Sequence, residues 1–181
     1  MMRFGVVVSL LLALAMTAGC TTQKGPSYAD ARNNQFIPTN HRAADALLSQ
    51  LPGRVGGNTL LIATLVNIDA LERSSTLGRL VSEQVAARFT QAGYHMVEMK
   101  FSNSVYILQS QGELMLTREV QELASEHSAR AVIVGTYGES KDFVYINLKV
   151  IEPGTNIVVA VYDYALPIDD NVRAMLRYRR N

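Results

Sequence analysis

Two alternations of apolar and polar residues organise most of the chain. From Asn40, a residue suited to cap a helix, Ala43, Ala44, Leu47, Leu48 and Leu51 recur at helical spacing on one face. Pro52, Gly53, Gly56 and Gly57 then end that helix and turn the chain. Residues 59–67 (TLLIATLVN) form a near-continuous apolar run of strand length, the pattern of a strand buried on both faces. Residues 67–75 are a polar connection. Ser75 can cap a second helix in which Leu77, Leu80, Val81, Val85, Phe89 and Ala92 follow the 3.6-residue period up to Gly93. Residues 94–100 return as a strand, completing a β-α-β unit. Further on, residues 105–108 suit a short strand and Gly112-Glu113 a turn. Thr117 caps a third helix to about Glu126 that buries Val120, Leu123 and Ala124, and residues 131–137 (AVIVGTY) read as a buried strand. Residues 143–152 and 156–166 flank Pro153-Gly154-Thr155, a hairpin signature. In the first arm Val144, Ile146, Leu148 and Val150 face one way and Tyr145, Asn147 and Lys149 the other, which predicts one covered and one wetter sheet face. A last helix is expected from Asn171 to about Tyr178.

The N-terminus follows different rules. Arg3 precedes an apolar run, Phe4 to Met16, broken only by Gly5 and Ser9, and small residues follow at Ala18 and Gly19. That is the layout of a secretory signal, too short for a membrane-spanning helix. The single cysteine, Cys20, stands directly after it. Thr17-Ala18-Gly19-Cys20 resembles the lipobox of bacterial lipoproteins, departing at Thr17, where Leu is usual. The resemblance implies cleavage before Cys20, lipidation of its thiol and acylation of the new amine. Thr21 in place of Asp looks like the Gram-negative pattern for passage to the outer membrane. Two or three acyl chains, at about 0.8 kcal/mol per buried methylene, hold firmly where one holds marginally. The expected organisation is a signal peptide over residues 1–19, lipidated Cys20 with a flexible tether to residue 38, and one domain over residues 39–181. The tether reaches roughly 60 Å fully stretched but averages about 23 Å as a coil, so the domain stays near its bilayer.

Composition narrows the chemistry. Of 17 basic and 16 acidic residues, the signal segment removes only Arg3, so the 162 residues from Cys20 onward are balanced. A neutral exported domain has no electrostatic case for nucleic acid. His41, His95 and His127 lack second ligands at metal spacing, so neither a metal nor a cofactor is expected. His95 and Glu98 fall on opposite faces of a strand and form no acid–base pair. Asp169-Asp170 reads as the cap of the last helix, Ser74-Ser75 as a cap rather than a nucleophile, and Gly135-Thr136-Tyr137-Gly138 as a tight turn rather than a phosphate loop. No catalytic residues are assigned, and no small-molecule substrate is expected. One surface feature stands out: Arg173, Arg177, Tyr178, Arg179 and Arg180 crowd the C-terminal end. They suit a helix C-terminus, or an arm for acidic headgroups or a carboxylate-bearing neighbour, with Arg177, Arg179 and Arg180 as candidate partner contacts.

The blocks LLIATLVNIDALERSSTLGRLVSEQVAARFTQAGYHMVEMK, GELMLTREVQELA and ARAVIVGTYGESKDFVYINLKVI resemble the flagellar outer-membrane lipoprotein family FlgO, from about residue 40 to residue 175. The most specific pieces are Ser74-Ser75-Thr76-Leu77-Gly78-Arg79, Gly112-Glu113-Leu114 with Leu116-Thr117-Arg118, and Val134-Gly135-Thr136-Tyr137. Thr117 stands where the family more often has Ser. The block order is shared more loosely with the periplasmic domain of the curli-secretion lipoprotein and the N-terminal domain of the Tol-system propeller protein. These resemblances imply an α/β (α+β) fold, a mixed sheet of about five strands with three to four helices packed on it, closing with a β-hairpin and a short helix. They imply a non-enzymatic protein facing the periplasm from the outer membrane at the flagellar base, needed for flagellar assembly, stability and motility. The implied partners are flagellar accessory and basal-body proteins and further copies of the chain in a ring. The alternative is a curli-type secretion or envelope-assembly subunit. A pore is disfavoured, because residues 102–115 cannot supply two spanning strands of about 9–11 residues each.

Overall fold

A computed structural model describes residues 25, 27–51, 58–99, 106–108 and 114–177, in two units that divide after Asn34. The described residues of the first form one helix, α1 (Tyr28–Asn33), inside the stretch expected to be a tether. Six residues are too few for a stable isolated helix, and here a capping box supports them. Asp30 N–H donates to Ser27 Oγ at 3.3 Å, and Ser27 N–H donates to the Asp30 carboxylate at 2.8 Å. The Ser27 hydroxyl, donating to the Asp30 carboxylate at 2.7 Å, and with it the Ser27 N–H, hold the Asp30 carboxyl below its ordinary pKa.

The second unit opens with α2 (Phe36–Leu48), earlier than the apolar spacing indicated. Pro38 does not end the tether; it lies in the first turn, where a missing N–H removes no helical bond. Asn40 is therefore no cap. It is fully buried within the helix, its amide donating to Gln84 Oε1 and its carbonyl accepting from the Tyr164 hydroxyl. There follow β1 (Thr59–Ala63), β2 (Val66–Asn67), α3 (Thr76–Gln91), β3 (His95–Met99), β4 (Tyr106–Leu108), β5 (Leu114–Leu116) and α4 (Arg118–Glu126). The chain closes with β6 (Ala131–Glu139), β7 (Phe143–Glu152), β8 (Ile157–Pro167) and α5 (Asp170–Leu176). The caps fall as the sequence predicts: Ser75 accepts from Gly78 N–H, Thr117 from Val120 N–H and Asp169 from Val172 N–H. Gly93 turns the chain after α3 at φ +96°.

The architecture is a mixed α/β sheet in the order β3-β1-β6-β7-β8, with β2 continuing beside β6. β1 runs parallel to β3 and β6, and the last three strands are antiparallel. Leu60 and Ile62 pack with Leu47, Val81, Phe89 and Val172 on the face covered by α2, α3 and α5. Leu61 and Ala63 pack with Val120 and Ala124 of α4 on the other. Gly135 to Gly138 is not a turn but part of β6. β4 and β5 form a separate antiparallel pair whose second strand the sequence pattern did not suggest, and the Gly112-Glu113 turn lies outside the described residues. No helix among the described residues is long and apolar enough to cross a membrane.

The run at residues 59–67 is not one strand. Four steps separate Ile62 from Val66, but only three separate their β6 partners Ile133 and Thr136. One residue is extra, so the strand bulges. Leu65 swings to the α3 side, fully buried, while Val66 joins the opposite cluster. Its displaced backbone is completed by side chains: Leu65 N–H donates to Ser82 Oγ at 3.0 Å, and Leu65 C=O accepts from Ser74 Oγ at 2.6 Å. Two glycines make room. A Cβ on Gly78 would sit 2.5 Å from the Leu65 carbonyl oxygen, and one on Gly135 2.8 Å from Leu65 Cγ and from the Asn147 carbonyl oxygen.

At the β8 edge, the Gln50 carboxamide takes the place of a strand neighbour. Its Nε2 donates to Val161 C=O at 3.0 Å and its Oε1 accepts from Val161 N–H at 3.3 Å. Such an edge otherwise invites pairing with another chain.

Gly78→Ala is expected to lose about 1–3 kcal/mol of stability, the usual cost of overpacking. Gly154→Ala, with open space around its Cβ, should stay within about 0.5 kcal/mol of the parent. Urea denaturation of both variants checks this; equal stabilities would refute the account of the bulge. Burial raises the Tyr164 phenol well above its ordinary value, with Tyr162 adding to the rise. Above about pH 10 the unfolded chain ionises this tyrosine while the folded one keeps its proton, so stability falls by up to about 1.36 kcal/mol per pH unit. Tyr164→Phe should be less stable at neutral pH, by about 1–3 kcal/mol for the orphaned Asn40 carbonyl, and should lose stability less steeply above pH 10. Denaturation from pH 7 to 11 compares the two.

Candidate partner-binding groove

The two faces of the sheet are covered unequally. The α4 side buries Leu61, Val132, Val134 and, near the end of β7, Ile151, but among the described residues no helix covers the rest of β7 and β8 on this side. Alternation in β7 and its register with β8 place Phe143, Tyr145, Asn147 and Lys149 opposite Pro167, Ala165, Asp163 and Val161 on this open half. Tyr145 is 58% and Phe143 45% exposed, with ring centroids 6.5 Å apart. Ile146, the neighbour facing the other way, is only 2% exposed. The sequence alternation thus holds, but its wetter face carries two aromatic rings that contribute nothing to the core.

A groove of ≈ 650 Å³ runs beside these rings, lined by Ile68, Asp69, Gly138, Glu139, Tyr145 and Asp163 among others. The loop after β2 forms one wall. Ile68 N–H donates to Tyr137 C=O at 2.9 Å, and Asp69 N–H donates to Asn67 Oδ1 at 2.8 Å, so the loop is pinned to β6. Ile68 is 57% exposed. Gly138 keeps that wall close, since a Cβ there would lie 3.2 Å from Ile68 Cγ2. The Asp163 carboxylate accepts a bond from the Asn147 amide across the strands. Among the described residues Asp69, Glu139 and Asp163 make no ion pair, in contrast to Glu72, paired with Arg73, and Asp45, paired with Arg88. The groove therefore offers apolar and aromatic surface rimmed by negative charge, with no acid–base or nucleophile arrangement.

The family-like pieces of the sequence meet behind this wall rather than in it. Ser74, Ser75, Gly78, Gly135 and Tyr137 surround the Leu65 bulge. Burial lifts the Tyr137 phenol above its ordinary pKa, opposed by hydrogen bonding with Ser75. Of the residues singled out in the sequence, Arg177 is exposed at the end of α5, while Cys20, Arg179 and Arg180 lie outside the described residues. His95 is exposed. Glu98 lines a cleft of only ≈ 90 Å³ with Thr64, Arg79, Ser82 and Glu83. No group of His, Cys, Asp or Glu among the described residues could hold a metal ion. Of the groove residues, Gly138 was expected in a turn and Tyr145 on the wetter sheet face, while Glu139 and Asp163 were not singled out. The available signal was a pair of aromatics, Phe143 and Tyr145, on the face that alternation marked as wet.

A mixed sheet of this strand order with helices packed on it has counterparts among solved structures. The C-terminal domain of LpoB from Escherichia coli overlays with a TM-score of 0.51 at 11% identity, covering 74% of this chain and 98% of that one. The LpoB C-terminal domain from Salmonella enterica gives 0.50 at 11% identity with the same coverages. At that identity the likeness is one of fold. The FlgO family (FlgO protein) matches residues 41–171, and the chain belongs to it. No curated protein matches the sequence.

If the open face serves a partner and not the fold, Tyr145→Ser should change stability by less than about 0.5 kcal/mol, whereas Ile146→Ala, one residue away, should cost about 2–5 kcal/mol. Urea denaturation of both variants decides; a large loss for Tyr145→Ser would make this face structural.

Proposed function

We propose that this chain is a non-enzymatic lipoprotein, anchored to the outer membrane through acyl groups on Cys20, that braces a ring around the flagellar base and so supports flagellar assembly and motility. Membership of the FlgO family across residues 41–171 carries the reading. The lipobox-like Thr17-Ala18-Gly19-Cys20 supports the anchor. The half-open sheet face with its groove supports a role in binding rather than catalysis. Physically, acyl chains confine the domain to a plane near the bilayer. Confinement raises the effective concentration of neighbours, so contacts too weak for free solution become sufficient to hold a ring.

Deleting the gene and imaging flagellar bases in the cell tests this. The expected result is missing density at the outer-membrane level together with reduced swimming. Normal motility with intact bases would defeat the reading, and normal swimming with blocked export of a secreted subunit would favour a curli-type secretion role. Cys20→Ser should move the protein from the membrane to the soluble fraction; a variant that stays bound would refute the anchor.

A further inference from the structure

The groove carries surplus negative charge, and the chain itself holds a segment of opposite character. We propose that the groove receives the arginine-rich segment at residues 177–180 of a second copy of this chain, in a head-to-tail contact. Among the described residues Asp69, Glu139 and Asp163 rim the groove with no ion-pair partner, while the segment reads Arg-Tyr-Arg-Arg. Guanidinium groups pair with carboxylates through paired donors and also stack on aromatic faces, as the exposed Tyr145 ring allows.

Spacing supports the match. On the open face Gly138, Tyr145 and Ala165 form one cross-strand row, and Thr136, Asn147 and Asp163 the next. Adjacent rows on one face lie about 7 Å apart along the strands, two residues of rise. Alternate residues of an extended segment, such as Arg177 and Arg179, have the same separation. One arginine can thus meet Asp163 while the other covers Tyr145.

The occupant comes from a second copy because of where α5 leads. Val172, Met175 and Leu176 pack with the helices on the opposite face of the sheet, so a molecule's own segment starts on the wrong side of its groove. A contact between two different patches is heterologous, and repeated with a closing rotation it builds a ring. The proposal rests on the ring reading only for that closure; the contact itself is tested on purified protein, apart from any flagellar phenotype.

The full lipidated chain, purified in detergent, is followed by sedimentation velocity. One variant reverses the segment (R177E, R179E and R180E together) and another the groove (D69K, E139K and D163K together). Each alone should weaken self-association by more than about tenfold, because like charges then face each other across the contact. An equal mixture of the two should associate as the parent does, since each segment again meets a groove of opposite sign. Association untouched by either reversal would overturn the proposal. So would recovery when both reversals share one chain but not in the mixture, which marks a contact within one molecule. A segment reversal that lowers only binding to vesicles containing phosphatidylglycerol would overturn it in favour of a lipid contact. Should the groove reversal fail to fold, D69N with E139Q alters two exposed side chains and should still weaken association by about threefold; no weakening would overturn the proposal as well.

Discussion

A single extra residue in the central strand governs how the domain is assembled. β1 and β2 cannot stay in phase with β6 while β6 advances three residues and they advance four. The surplus turns Leu65 into the helical layer, where it is fully buried, and removes its amide from the ladder. A buried, unpaired peptide costs about 1–3 kcal/mol for each orphaned group. The chain avoids that cost by placing Ser82 nearly two turns into α3 and Ser74 just ahead of the helix, so each takes one half of the peptide. This fixes both the position and the rotation of α3. Gly78 and Gly135 then follow as necessities, because the helix and β6 must approach the bulge more closely than any side chain permits.

The residues most typical of the family are thereby explained without invoking chemistry. Ser74-Ser75-Thr76-Leu77-Gly78-Arg79 and Val134-Gly135-Thr136-Tyr137 meet at one junction, where Tyr137 lies 3.0 Å from the position a Gly78 Cβ would occupy. Their spacing along the sequence is a packing constraint. The bulge also shapes the neighbouring groove. By ending β2 two residues later, it releases the loop whose Ile68 and Asp69 wall the groove.

Much of the fold was legible in the sequence, for physical reasons that also define what was not. Helices with long apolar periods, capped by Ser75 or Thr117, announce themselves because period and cap agree. The hairpin at Pro153-Gly154-Thr155 was equally plain, with Asn156 supplying the positive φ of 57°. The bulge was hidden, since TLLIATLVN is apolar whether or not its phase shifts, and a run buried on both faces leaves no alternation to read. Asn40 misled because a capping residue and a buried interior amide look identical until the strand supplying Tyr164 is placed, 124 residues away. α1 was missed because its stability rests on the local Ser27–Asp30 capping box, in a segment whose composition reads as a linker. The groove was half legible: alternation placed Tyr145 on the wetter face, but only the register brings Asp163 beside it.

The unequal cover of the sheet follows from how many helices the chain can spare. Three helices on one face seal Leu60, Ile62 and the inward residues of β6, β7 and β8. Among the described residues one nine-residue helix, α4, lies on the other face, against the parallel half. A chain that needed only stability would place polar residues on the uncovered strands, as Asn147, Lys149 and Asp163 do. Phe143, Tyr145 and Val161, at 45%, 58% and 43% exposure, break that rule. Meanwhile Gln50 blocks the adjacent β8 edge at Val161, so strand addition is opposed where face contact is not. Protecting the edge while leaving the face apolar discriminates between two kinds of neighbour. It suppresses the unlimited sheet growth that an open edge invites and keeps available a side-chain-specific contact on the face.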